Sequence, residues 1–121
     1  MENNEKSSKS ALGKANREKG QRFERKIRKE LEEQGWVVTK WQNNVDLASK
    51  SIIQAKSNRF FTRTNGFPDF LVFKNIEGTN KAHVRLIEVK YNGYLTPEER
   101  EKVSVIKELL NIDVEVIKYD G

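Results

Sequence analysis

The 121-residue chain has no cysteine and a single histidine, His83. The first absence removes disulfides, thiolate nucleophiles and the usual zinc-finger ligands, and one imidazole argues against a Ser-His-Asp relay or a multi-histidine metal centre. Nowhere do about 18 apolar residues run together, and the polar opening MENNEKSSKSALGKANREKG lacks the apolar stretch of a signal peptide. These absences predict a soluble, cytoplasmic protein with no membrane partner. Any catalysis must rest on carboxylates, lysines, arginines and hydroxyls. Proline is scarce as well, and its two occurrences, Pro68 and Pro97, stand where an apolar strand and a helix are expected to begin.

What the chain has in plenty is positive charge. The formal net charge is +5 with a pI near 9.5, and the excess is uneven. Ten Lys/Arg face five Asp/Glu in residues 1–30, and between Trp36 and Lys74 six basic residues face only Asp46 and Asp69. Clustered cations favour a polyanion, because binding phosphates releases condensed counterions. Solubility is the alternative use of such charge.

The length suits one domain. Residues 1–14 are almost entirely polar and read as a disordered arm, leaving a single domain over 15–121. From Ala15 to Gln34, Phe23, Ile27 and Leu31 recur every fourth residue, which predicts a helix stopped by Gly35. WVVTKW at 36–41 reads as a strand. The long basic segment 42–66 leaves a short helix, a further strand or a loop open. FPDFLVF at 67–73 and HVRLIEVKY at 83–91 read as strands joined by a turn. Thr96 as N-cap, Pro97 and the acidic Glu98 and Glu99 open a second helix, and DVEVIKY at 113–119 alternates as a last strand. The order α-β-β-β-α-β implies an α/β fold with a mixed central sheet flanked by helices.

Within RLIEVKY, Glu88 and Lys90 lie two apart and share one face of a strand, with Val89 turned away. If the two core strands form a hairpin, Asp69 meets Glu88 across the ladder. Two carboxylates so placed form a hard-cation site, and a lysine beside them can orient water and offset charge developing on phosphorus. An ion pair between Glu88 and Lys90 on a solvent-facing strand is the plainer alternative.

PD at 68–69 and EVK at 88–90, on strands in this order, resemble the PD-(D/E)xK nuclease superfamily. Gly20, Phe23-Glu24 and LEEQGW are similar to the first helix of archaeal-type Holliday junction resolvases. GFPDFLVF followed by LIEVKYNGYLTPEE is similar to the virus-type replication and repair (VRR) nuclease domain. The resemblance covers residues from about 20 to 119. It implies a restriction-endonuclease-like core, Asp69 and Glu88 as ligands of Mg²⁺ (with Mn²⁺ as substitute), Lys90 as the catalytic lysine, and Glu24 on the first helix as a further metal and catalytic residue. Spacing puts Glu24 at the edge of the buried helix face, where an ion pair with Arg28 is the alternative. Many members carry Gln on the helix after the E-x-K strand, near where this chain has Glu98, Glu99 and Arg100, and the segment before PD is longer here than in a compact junction resolvase.

The expectation is therefore a Mg²⁺-dependent endodeoxyribonuclease acting on branched DNA, foremost a Holliday junction resolvase. The rivals are a VRR-type nuclease acting on flaps, forks or duplex, and an inactive nucleic-acid-binding protein of the same fold. Arg17, Lys19, Arg22, Arg25 and Lys26 on the first helix, with Lys56, Arg59 and Arg63 in the central segment, are the expected phosphate contacts. Phe60 and Phe61 read as a base wedge or as a loop anchor. Trp36 and Trp41 read as core or interface, and His83 as structural. The resolvase resemblance also implies a C2 homodimer, since two symmetry-related strands must be cut.

Overall fold

The computed structural model describes residues 2–55, 57–58, 61–64 and 66–119, with side chains placed for 14–15, 18–55 and 66–119. The elements run α1 (Glu2–Glu33), β1 (Val37–Lys40), β2 (Asn43–Asp46), β3 (Ser51–Gln54), β4 (Ser57–Asn58), β5 (Phe61–Thr64), β6 (Phe70–Asn75), β7 (Ala82–Lys90), α2 (Pro97–Leu110) and β8 (Val114–Lys118). Among the described residues no helix is long and apolar enough to cross a membrane.

Four strands make one mixed sheet in the order β1-β6-β7-β8. β1, β6 and β7 are antiparallel neighbours, and β8 lies parallel to β7 because α2 carries the chain back across the sheet. α1 covers one face: Phe23, Ile27 and Leu31 are buried against Val38, Phe70, Val72 and Ile87. α2 covers the other, where Val105 and Ile106 pack with Leu86, Val45 and Phe67. Covering both faces explains why Leu86, Ile87 and Glu88 are buried in succession although their side chains alternate.

The helices end where local chemistry stops them. After α1, Trp36 N–H donates to the Leu31 carbonyl and Gly35 N–H to that of Glu32, both at 3.0 Å, with Gly35 at φ +92°. This is the Schellman arrangement, and Trp36 packs on the same core as Leu31. At its start the helical backbone reaches Glu2, well upstream of the apolar periodicity and across the span expected as an arm; nothing in that span is a proline, and polar straight-chain residues tolerate helix. α2 opens with a capping box: Glu99 N–H donates to Thr96 Oγ1 (3.2 Å) and Thr96 N–H donates to Glu99 Oε1 (2.9 Å).

Within 42–66 the described residues form two antiparallel strand pairs, β2–β3 and β4–β5, rather than a helix. Asp46 closes the first turn by accepting from Ala48 N–H and Ser49 Oγ–H. Val45 and Ala55 are buried, and Val45 joins the α2-side core, so this hairpin is docked. The chain then returns at Gly66, where a Cβ would collide with the Trp41 carbonyl oxygen, and Phe67 N–H bonds to the Asn43 carbonyl at 2.9 Å. Only glycine permits that approach, which delivers Pro68 and Asp69 to the head of β6. The side chains of Arg17, Lys56, Arg59, Phe60, Phe61 and Arg63 lie outside the described residues.

Candidate functional site

The β6–β7 ladder pairs Phe70 with Ile87 and Leu71 with Leu86, and one further step along this register sets Asp69 opposite Glu88. Leu71, Leu86 and hence Asp69, Glu88 and Lys90 all face α2. Trp41 N–H bonds to the Asp69 carbonyl (3.0 Å), continuing the β1–β6 ladder to this residue. The Asp69 carboxylate is held by the adjacent strand, its Oδ2 accepting from Val89 N–H at 2.8 Å. Val89 therefore does two things: its side chain packs in the α1-side core, and its amide fixes the aspartate.

Glu88 is only 5% exposed, and its Oε1 is buried without a hydrogen-bond partner. Burial, then repulsion by Asp69, then a hydrogen bond to Asp69 that only the protonated acid can make, push its carboxyl up to about 9. Lys90 lies 3.7 Å from Glu88 Oε2 and pulls the other way, but too weakly to restore ionisation at neutral pH. The lysine's close partner is elsewhere: Nζ sits 2.6 Å from Glu99 Oε2. Burial lowers the Lys90 ammonium's pKa, yet the hydrogen bond with Glu99 and attraction to Glu88, Glu99 and Asp69 outweigh it, so the net direction is up. Burial alone would raise Glu99, but the contacts with Lys90 and Thr96 bring it below its ordinary value. One Glu99 oxygen thus caps α2 while the other holds Lys90.

Two hard-oxygen carboxylates, Asp69 half-buried and Glu88 buried with an unsatisfied oxygen, fit Mg²⁺ or Mn²⁺ better than zinc, and Mg²⁺ commonly takes one or two carboxylates and fills its octahedron with water and phosphate. Among the described residues no group of three or more His, Cys, Asp or Glu side chains is spaced to hold a metal ion. Among the described side chains, Asp69 and Glu88 are the pair that would hold a cation here.

Among the described residues Glu24 is not grouped with Asp69 and Glu88 at metal-ligand spacing. It lies on α1, half-buried, lining a cleft with Gln21, Arg25, Arg28, Lys40 and Phe70 on the opposite face of the sheet. Arg28 bonds to Glu32 at 2.7 Å. The expected phosphate contacts on α1 divide in two: Arg25 lies in the Glu24 cleft, whereas Lys19, Arg22 and Lys26 line a second one with Phe23 and Tyr119. His83 is exposed, paired with Lys74 at the far end of the ladder. Trp36 and Trp41 are half-buried against the two cores.

Glu99 is the site residue that sequence pattern undervalued. Glu99 stands near where many members of the resembled superfamily carry Gln, but the contact that its second oxygen makes with Lys90, beside its place in a capping box, leaves no mark in the local pattern. In comparisons with known proteins, no family model, no curated protein and no solved structure matches the chain.

Proposed function

We propose that the chain is a Mg²⁺-dependent endodeoxyribonuclease of restriction-endonuclease-like, PD-(D/E)xK type, acting on branched DNA, with Holliday junction resolution as the specific reading. The observation that carries this is the convergence of Asp69, Glu88 and Lys90 on the α2 side of the sheet, with a buried carboxylate oxygen left unsatisfied. Lys90 makes its short contact with Glu99 and lies 3.7 Å from Glu88, whose other carboxyl oxygen has no hydrogen-bond partner.

Asp69 and Glu88 would hold the divalent cation, which when bound supplies Lewis acidity and a water of lowered pKa. Lys90, kept charged by Glu99, is an electrostatic partner for the phosphorane-like transition state rather than a proton acceptor. Hydrolysis forms a P–O bond from water and breaks the P–O bond to the leaving sugar oxygen; the attacking water gives a proton to solvent and the leaving oxygen takes one up from solvent. A VRR-type nuclease acting on flaps, forks or duplex is the second reading. It is favoured by the two hairpins inserted between β1 and the Pro68-Asp69 turn.

The test is nicking of supercoiled and branched DNA by purified protein with Mg²⁺. Asp69→Ala, Glu88→Ala and Lys90→Ala should each abolish nicking while binding in EDTA survives. Equal activity in wild type and all three variants would overturn the proposal.

A further inference from the structure

Tyr91 directly follows Lys90, yet its side chain is 62% exposed. An aromatic ring so exposed contributes little to the core, but this one is held. It stacks on Tyr119, centroids 5.0 Å apart and planes 16° from parallel. Tyr119 in turn meets the buried Phe23 edge-on, at 4.6 Å and 89°. The chain of rings Phe23–Tyr119–Tyr91 thus runs from the α1-side core out to the surface at the end of β7. Lys19 fixes the outer ring: its Nζ donates to the Tyr91 hydroxyl at 2.7 Å and stands 4.6 Å from the ring centroid. With one face against Tyr119 and most of its area in solvent, Tyr91 presents its other face outward.

Beside this stack Lys19, Arg22 and Lys26 line a cleft of about 280 Å³ with Phe23 and Tyr119, and no acidic side chain is among its walls. Side chains alternate along a strand, and the stack on Tyr119 puts Tyr91 on the α1 side, across the sheet from the Lys90 ammonium. We infer that Tyr91, buttressed by Tyr119 and flanked by Lys19, Arg22 and Lys26, is a stacking platform for an unpaired nucleotide on the α1 side of the sheet. A rigid exposed π-face with cations beside it suits single-stranded nucleic acid, whose bases are free to stack and whose phosphates follow the cations. In a closed duplex the bases already stack on one another, and the ring has nothing to take. The platform therefore selects nucleic acid with an unpaired segment over closed duplex. Its use in holding a substrate rests on the nuclease reading; its binding of a single strand does not.

Binding is measured with the full chain in EDTA, by fluorescence anisotropy of a labelled oligothymidine and of a blunt duplex of equal length. Tyr91→Ala should weaken oligothymidine binding about tenfold, as expected for one lost stacking contact, and leave the duplex unchanged. Tyr91→Phe keeps the ring and should bind like wild type, which also separates loss of stacking from loss of the fold. Arg22→Ala, with Lys26→Ala, should weaken both ligands and flatten the salt dependence. Unchanged oligothymidine affinity in Tyr91→Ala, or an equal loss on both ligands, overturns the platform. Nicking with Mg²⁺ is scored separately: its absence in wild type would remove the nuclease reading while the single-strand discrimination stood.

Discussion

Glu88 joins the fold and the proposed chemistry at the scale of one residue. Its folded pKa, about 9, lies above its ordinary 4.5, so between these values the folded state holds a proton that the unfolded chain releases. Stability from this group is complete below the unfolded pKa and is lost as pH rises towards the folded one. Relative to Glu88→Gln, the metal-free protein should lose on the order of 3 kcal/mol between about pH 5 and pH 8. Urea denaturation in EDTA at both pH values checks this, and a constant difference would show that Glu88 is ionised throughout. Mg²⁺ should recover part of that loss at the higher pH in wild type and none in Glu88→Gln, because binding selects the ionised pair. Glu99 gives a second residue-scale expectation. Glu99→Gln retains an acceptor for Thr96 N–H, so the melting temperature should hold, but it removes the charge that keeps Lys90 protonated. The alkaline limb of the nicking pH profile should then move to lower pH. An unmoved limb would mean that Glu99 serves α2 alone.

Among the elements, two glycines should respond to alanine with opposite signs. Gly20 sits on α1 with nothing near a new Cβ, so Gly20→Ala should stabilise by about 0.5–1 kcal/mol through helix propensity. Gly66 lies against the Trp41 carbonyl, and Gly66→Ala should cost roughly 2–3 kcal/mol and lower activity further by shifting Asp69. Thermal unfolding of both variants decides; equal and small effects would mean that the return to Pro68 is not tight. The same two positions mark how far pattern goes. Phe23, Ile27, Leu31 and the Gly35 stop made α1 legible from periodicity, and Thr96-Pro97 did so for α2. The hairpins over 42–66 were not legible, because their pairing is set by Val45 docking on the α2-side core and by the backbone passing beneath Trp41, neither of which leaves a local mark.

For the whole molecule, under the proposed nuclease function, the question is which DNA its surface would admit. Cations on α1 split between the Glu24 cleft and the Tyr119 cleft, and both lie across the sheet from Asp69 and Glu88. If the catalytic pair needs no third carboxylate, Glu24→Gln should reduce nicking far less than Asp69→Asn. A panel of four-way junction, flap, single strand and blunt duplex should show symmetric paired nicks in the junction under the resolvase reading. Efficient cutting of plain duplex would remove it. Much of this was already contained in residue order. Alternation in RLIEVKY puts Glu88 and Lys90 on one face whatever surrounds them, because a strand repeats every two residues, and the antiparallel step from Pro68-Asp69 follows once the two strands pair. The packing of distant parts supplied the rest. Burial beneath α2 raises Glu88, the first turn of α2 claims Lys90, and Tyr119 from the last strand supports Tyr91. Those outcomes depend on which side chains meet from positions far apart in the chain, and electrostatics and stacking act only over the few ångströms that folding closes.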